Sequence, residues 1–231
     1  MQSPKDDFLT SFSYDKEIER AKWFKEDLDK GGWKEIHKSP GSVYWLKAFP
    51  DENVPNKVLS RVDLAMSAEM YMEVLHPKNL DKREKWDQVF MDHEILETYP
   101  DDQGALHFNR YPCSFPLWDR SFILFCPSPK EIDWFGKRAF IQIQKNAWHP
   151  SKPEGADGLV RATNGGNFFV IIPDETNPDA ACTLFLLSNN NYNGWLPNNL
   201  MKRVLEKKLP ASFNEFFASV IKGYNDYFKQ N

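Results

Sequence analysis

The sequence has no uninterrupted apolar run approaching the ~20 residues that span a bilayer as a helix. Its first residues, Met1-Gln2-Ser3-Pro4-Lys5-Asp6-Asp7-Phe8, lack the apolar core of a secretory signal. Only three cysteines occur, Cys113, Cys126 and Cys182, too few and too scattered for a disulfide framework or a structural zinc site. There is no Asn-x-Ser/Thr sequon. Together these absences point to a cytoplasmic chain whose cysteines are buried or half-buried thiols. No Lys/Arg-rich run or finger motif is present, and the formal net charge is −4, so a nucleic-acid partner is not expected.

Catalytic signatures are missing as well. His93-Glu94-Ile95-Leu96-Glu97 lacks the second histidine of a zinc-protease helix and sits in a strand pattern. Asn164-Gly165-Gly166-Asn167 is a turn, with no strand–helix unit around it to make a dinucleotide loop. No Gly-x-Ser-x-Gly elbow occurs. No cofactor and no metal site is expected, and the chain reads as non-enzymatic. An esterase or thioesterase using Cys126 is the weakest of the readings considered.

What is present is a chain with 41% apolar and 15% aromatic residues, enough to build one core. No repeat, linker or low-complexity segment divides it, so residues 1–231 are read as a single domain. The first 31 residues carry a charged helix over Tyr14–Leu28, with Tyr14, Ile18, Ala21 and Leu28 on one side and Gly31-Gly32 at its end. The period then changes to that of strands. Trp33–His37, Val43–Phe49 and Lys57–Leu64 form an antiparallel meander broken by Ser39-Pro40-Gly41-Ser42 and Pro50-Asp51-Glu52-Asn53. Ser67 caps a short helix ended by His76-Pro77, and Asp81–Trp86 forms another helical turn. Strand patterns return at Val89–Thr98, Ala105–Tyr111, Arg120–Cys126, Arg138–Asn146, Leu159–Thr163 with Phe168–Ile172, and Cys182–Ser188.

The last segment, residues 194–229, is a long helix. Leu200, Met201, Val204, Leu205, Leu209, Phe213, Phe216, Phe217, Val220, Ile221 and Tyr224 keep the spacing of one helical face. Pro210 removes a mid-helix hydrogen bond, so one bent helix is expected. The fold class is therefore α+β: a curved antiparallel sheet of about nine strands wrapped around a long C-terminal helix, a helix-grip fold. Such a grip leaves an apolar space between helix and sheet, which is a ligand site by default.

Several motifs in this order resemble the StAR-related lipid transfer (START) domain family. They are Asp63-Leu64-Ala65-Met66 leading into Glu69–Leu75, then Lys85-Trp86-Asp87, Arg110-Tyr111-Pro112, Phe115-Pro116-Leu117-Trp118-Asp119-Arg120, Gly158–Ala162 and Gly194-Trp195-Leu196-Pro197. The resemblance runs from about Gly32 to the end, and Phe115–Arg120 is most similar to the phosphatidylcholine-transfer subgroup. It implies a closed internal tunnel holding one lipid. The lid would be the C-terminal helix, the loop Pro112–Asp119 and the loop Asn189–Asn193. Many relatives carry an acidic or amide residue on the strand before the lid loop and an arginine on the strand after it. Here those positions fall at Phe108 or Asn109 and at Cys126 or Phe125, so an ion pair inside the tunnel is not expected and a less polar cargo gains weight.

The residues expected to contact the ligand are Phe108, Asn109 and Arg110 before the lid loop, and Phe115, Trp118 and Arg120 in or beside it. Cys126 and Arg161 follow on later strands. Trp195, Leu200, Phe213 and Phe217 face in from the terminal helix. Arg110 and Arg161 also suit a solvated outer face. By alternation Arg110 shares a face with Leu106 and Phe108, while His107, Asn109 and Tyr111 take the other. Phe115, Leu117 and Trp118 crowd a loop that should be polar, and read as a gate inserting at a membrane interface, with ordinary core edge as the alternative. Trp134-Phe135 is either a second membrane contact or a hairpin tip packed on itself. The partners implied are an apolar small molecule and a transient membrane surface, with the protein a monomer. The function expected is to bind one lipid or similarly apolar molecule and transfer it between membranes; the alternative is a soluble store for a pigment, steroid or toxin.

Overall fold

The computed structural model describes residues 11–87, 92–100, 103–112, 118–155, 158–194 and 198–229. Helix α1 spans Tyr14–Asp29, and the Ser13 side chain accepts from the Lys16 N–H at its start. Its end is set by Gly31, whose φ of +89° is a left-handed value that suits glycine. Strands β1 (Lys34–Ser39), β2 (Ser42–Ala48) and β3 (Asn56–Leu64) make the expected meander. Helix α2 (Ala68–Leu75) is capped by Ser67, whose hydroxyl accepts from the Met70 N–H at 3.1 Å. A 3₁₀ turn over Pro77–Asn79 leads into the short helix α3, Leu80–Arg83.

The remaining strands are β4 (Asp92–Thr98), β5 (Gly104–Tyr111), β6 (Arg120–Pro127), β7 (Lys130–Trp134), β8 (Lys137–Asn146), β9 (Val160–Arg161), β10 (Thr163–Asn164), β11 (Asn167–Pro173), β12 (Cys182–Ser188) and β13 (Asn190–Asn191). The main sheet has the order β1-β2-β3-β12-β11-β8-β6-β5-β4, antiparallel at every step. These nine strands are the curved sheet expected from the sequence. Strand β7 pairs with β8 and the short β9 runs parallel to β6, while β10 and β13 form a separate ladder. The pairing of β8 explains how the sheet turns. Its first half is bonded to β7 and its last two residues to β6, so one edge is shared by two strands.

The two faces of the sheet carry separate apolar clusters. On one side Tyr44, Val62, Leu184 and Leu186 pack against Leu205, Leu209, Phe217 and Val220 of the C-terminal segment. On the other, Leu59, Ile141, Phe168 and Phe185 pack against Ala21 and Phe24 of α1. The sheet is thus gripped between the two terminal helices, and its concave side belongs to the C-terminal one.

The C-terminal segment consists of α4 (Asn198–Arg203), a π turn over Val204–Lys208, and α5 (Leu209–Tyr227). Pro210 has no N–H, and its ring would crowd the carbonyl four residues back. The chain accommodates it by widening the turn just before it, where the Leu209 N–H reaches the Val204 carbonyl, five residues away. The irregularity therefore lies N-terminal to Pro210. Tyr44 anchors α5 to the sheet: its hydroxyl donates to Asn214 Oδ1 at 2.7 Å and its ring stacks on Phe213 at 6.3 Å.

Three strands were not read from the sequence. The β10 and β13 pair is two residues long on each side, too short to leave a period. Strand β7 places Trp134 against Phe185, with the indole only 4% exposed. This corrects the expectation that Trp134 contacts a membrane: alternation along β7 turns Ile132 and Trp134 inward together. Phe135, at the hairpin tip with φ of 53°, remains half exposed beneath Lys22.

Candidate functional site

The interior site is built on β5. Leu106 and Phe108 enter a cluster with Tyr99, Ile123, Phe125 and Phe12, and Phe12 also joins the core beneath α1. That face is convex. Successive side chains alternate, so Ala105, His107, Asn109 and Tyr111 point to the concave side. On β6 the cross-strand partners of those four are Cys126, Leu124, Phe122 and Arg120. On β4, His93 lies opposite Asn109.

The concave groups are polar in an otherwise apolar wall. His93 Nε2 and His107 Nδ1 are 2.7 Å apart. Arg83, the last residue of α3, and Asp87, in the turn beyond it, are four residues apart, and Arg83 Nε donates to Asp87 Oδ2 at 2.8 Å. Their side chains are 14% and 1% exposed. Trp86, between them, joins the cluster made by Phe217 and Val220 of α5. Trp86 thus packs this turn against the C-terminal helix, and the Arg83 charge is felt by the strand groups. Burial pushes His107 down to about 4, with the Arg83 guanidinium adding to the shift. Burial, His107 and Arg83 together push His93 down to about 3. Burial raises the Tyr111 phenol and pushes the Cys126 thiol up to about 12, each partly offset by Arg83. Both imidazoles are neutral at physiological pH, and Cys126 is not the thiolate that a nucleophile requires.

The expected site residues divide between two faces. Asn109 and Cys126 lie on the concave side. Phe213 and Phe217 pack from α5 onto the concave cluster, so both face the sheet. Phe108, Arg110 and Arg161 are placed elsewhere. Phe108 fills the convex cluster, with Lys152 Nζ at 4.6 Å and the Arg161 guanidinium at 5.6 Å over its ring. Arg161 also donates to the Lys152 carbonyl, and Arg110 pairs with Asp119 at 3.2 Å. The reading of Phe108 and Arg110 as ligand contacts is corrected by strand alternation, since once Leu106 and Phe108 fill the outer core Arg110 must follow them outward, and that of Arg161 by its place over the outward Phe108 ring.

Arg120 has a different task. Its Nε donates to the Tyr192 carbonyl at 2.7 Å, Nη2 to the Asn193 carbonyl at 3.2 Å, and Nη1 to the Trp118 carbonyl. A single guanidinium fork thus ties the residue after the Pro112–Leu117 segment to the loop that precedes α4. Trp118 itself is 77% exposed. Phe115, Leu117 and Trp195, and the side chain of Leu200, lie outside the described residues.

Sequence reasoning missed Arg83, Asp87, His93 and His107. The expectation that the interior holds no ion pair is corrected by Arg83 and Asp87, which reach the strand groups from the end of α3 and the turn beyond it and not from the two strands compared in the sequence. The i, i+4 spacing of Arg83 and Asp87 was a visible signal for a pair. Nothing local indicated that Asp87 would be buried.

The START domain family model matches residues 137–222 of this chain. No curated protein matches it in sequence. Among solved structures, human STARD10 is similar with a TM-score of 0.72 at 20% identity, covering 92% of this chain and 81% of that one. Human StAR-related lipid transfer protein 5 is similar with a TM-score of 0.72 at 19% identity, covering 93% and 97%. A STAR-related lipid transfer protein fragment from Xanthomonas axonopodis has a TM-score of 0.60 at 17% identity, covering 83% and 99%. The helix-grip fold is shared with all three.

Proposed function

We propose that this START-like helix-grip chain binds one lipid or similarly apolar molecule between its sheet and C-terminal helix and carries it between membranes. The observation that carries this reading is the concave side itself. An apolar wall gripping a terminal helix holds a set of polar groups, the buried Asp87, His107 and Asn109 with the half-buried Arg83 and His93, which suits one end of an otherwise apolar cargo. Two proteins of similar structure, human StAR-related lipid transfer protein 5 and the STAR-related lipid transfer protein of Xanthomonas axonopodis, are lipid transfer proteins by name, which supports the same class. The raised Cys126 thiol and the neutral imidazoles favour a carrier over an enzyme. The narrower likeness to the phosphatidylcholine-transfer subgroup rests on Phe115–Arg120, half of which lies outside the described residues, and enters only as one cargo class to test.

In this reading the cargo's chains contribute most of the affinity, roughly 0.8 kcal/mol for each buried CH₂, and the polar cluster selects the head. Trp118 and the Tyr192–Asn193 turn that Arg120 ties to it stand at the entrance, and the exposed indole meets the membrane interface. The test is native mass spectrometry of the protein after incubation with mixed-lipid vesicles, followed by transfer between labelled and unlabelled vesicles. A stoichiometric lipid adduct with measurable transfer is expected. Trp118→Ala should slow transfer several-fold and leave the thermal midpoint unchanged, because the side chain is almost fully in water. The absence of any adduct would remove the carrier reading. An adduct with no transfer would move the protein to storage.

A further inference from the structure

The chain has two Asn-Gly pairs, Asn164-Gly165 and Asn193-Gly194. A glycine after asparagine leaves its backbone nitrogen unshielded, because it has no Cβ to keep that nitrogen from the asparagine Cγ. The fold treats the two pairs differently. Asn164 is 5% exposed, and its Oδ1 accepts from the Gly166 and Asn167 N–H groups at 2.6 and 3.0 Å. The Gly165 N–H donates to the Asn189 carbonyl at 2.7 Å. Asn193 and Gly194 are left-handed in succession, at φ of 46° and 74°. Gly194 is exposed, and its N–H makes no hydrogen bond to the described residues. The Asn193 amide has a single anchor, Nδ2 donating to the Arg161 carbonyl at 2.8 Å. Beside it lies Arg120, 3% exposed, whose guanidinium meets the carbonyls of Trp118, Tyr192 and Asn193 and no carboxylate among the described residues. Its Nη2 stands 3.5 Å from where a Cβ on Gly194 would lie. We propose that Asn193 is a site of spontaneous deamidation, with water as the co-reactant, and that conversion gives the buried Arg120 cation a carboxylate partner.

The step needs nothing from outside the chain but water. The Gly194 nitrogen gives its proton to solvent hydroxide and attacks Asn193 Cγ. The new N–Cγ bond closes a cyclic imide as Cγ–Nδ2 breaks, and Nδ2 leaves as ammonia with a proton from solvent. Hydroxide then opens the imide at one of its two carbonyls. Opening at Cγ gives aspartate. Opening at the former backbone carbonyl gives iso-aspartate, in which the chain runs on through Cγ and that carbonyl becomes the free carboxylate. It is the carbonyl that Arg120 Nη2 already reaches at 3.2 Å. A neutral-acceptor hydrogen bond thus becomes an ion pair, and bonds of that kind are shorter and stronger. A cation this close also favours the amide anion that attacks. The nearest carboxylate in sequence, Asp119, does not compete, since it pairs with Arg110 at 3.2 Å. The bond from Nδ2 to the Arg161 carbonyl is lost on conversion. The loop before α4 therefore exchanges its side-chain tie to β9 for an ionic tie to β6.

The experiment compares the two pairs within one molecule. The purified chain is incubated in mildly acidic and mildly alkaline buffer, folded and in urea, and then digested. Mass spectrometry with fragmentation localises and quantifies the amide-to-acid change at both asparagines. In the folded protein Asn193 should convert at least about tenfold faster than Asn164, which reacts only from locally opened molecules. In urea the ratio should fall to near unity. The folded rate at Asn193 should rise with pH by up to about tenfold per unit, as the population of amide anion does. Arg120→Gln should lower the folded rate at Asn193 and leave the rate in urea unchanged. The converted fraction, separated by anion exchange, should carry mainly iso-aspartate at residue 193 and melt close to the parent. Equal rates at the two asparagines of the folded protein, or a faster rate at Asn164, would overturn the site. A converted fraction that is unfolded at the incubation temperature would overturn the pairing with Arg120. The ratio of the two rates in the unaltered protein decides the site even where the Arg120 variant fails to fold.

Discussion

Two neutral imidazoles buried beside a guanidinium make the fold sensitive to acid. His93 and His107 titrate at about 3 and 4 in the folded chain, against an ordinary value of 6.5. As the pH falls through about 6.5, the unfolded chain takes up protons on these rings and the folded chain does not. The unfolded state then binds more protons, so stability decreases with falling pH down to the folded values. The slope is of the order of 1 kcal/mol per pH unit for each ring. Glu17 extends the trend below that range. Burial raises its carboxyl, but Arg20 and Lys145 more than offset this and hold it below 4.5. Its contribution is present above about 4.5 and is lost as the pH falls through its lowered value. The urea midpoint should therefore drop between pH 7.5 and pH 5, and the drop should shrink in a His93→Gln, His107→Gln double variant. A midpoint that does not move over this range would contradict the buried neutral pair. Alternation alone placed His107, Asn109 and Tyr111 on one face. The partner of His107 is on another strand, at a register set by the β4–β5 pairing, and so could not be seen from spacing within β5.

At the scale of elements, the contact between α5 and the turn after α3 depends on a glycine. Gly223 lies inside α5, where alanine would ordinarily stabilise a helix by about 0.5–1 kcal/mol. A Cβ there would stand 2.5 Å from Trp86 Cδ2 and 2.7 Å from Cγ and Cε2. Trp86 is itself buried, so its ring has little room to withdraw. Gly223→Ala should therefore destabilise the chain by roughly 1–3 kcal/mol, the cost of overpacking, and reverse the sign that propensity predicts. Thermal unfolding checks this directly; a raised midpoint would mean that α5 and Trp86 are not packed this closely. The positions of α1, α2 and most strands were legible because caps, glycines and alternation act within a few residues. Ser13, Ser67 and Gly31 each act through a hydrogen bond or a backbone angle that its own neighbours fix. The π turn was not legible. Pro210 announces a lost hydrogen bond, but helix packing decides where the strain is taken up.

For the whole molecule, the proposed cargo would be part of the core. A ligand that binds only the folded chain stabilises it by RT ln(1 + [L]/Kd), about 2.7 kcal/mol at a hundredfold excess over Kd. For a domain of this size that corresponds to a rise of roughly 5–10 °C in Tm. Protein stripped of lipid with organic solvent and refolded should melt lower by about this amount, and vesicles of the extracted lipid should restore it. A midpoint indifferent to stripping and reloading would argue that the space between sheet and helix is filled by side chains alone.

The class of the fold was determined by the sequence, because periodicity is a local property. A period of two over eight or more segments, with a long helical stripe at the end, has few arrangements that bury every apolar face. The tertiary structure decided which polar groups share the interior. Arg83 comes from the end of α3 and Asp87 from the turn beyond it, His93 and His107 from adjacent strands, and Trp86 is set by a glycine more than a hundred residues away. The outward turn of Phe108, Arg110 and Arg161 was likewise settled by which face met α1 and Phe12. Alternation says which residues lie together on a strand. Only the packing of the two terminal helices says which of the two sides is the inside.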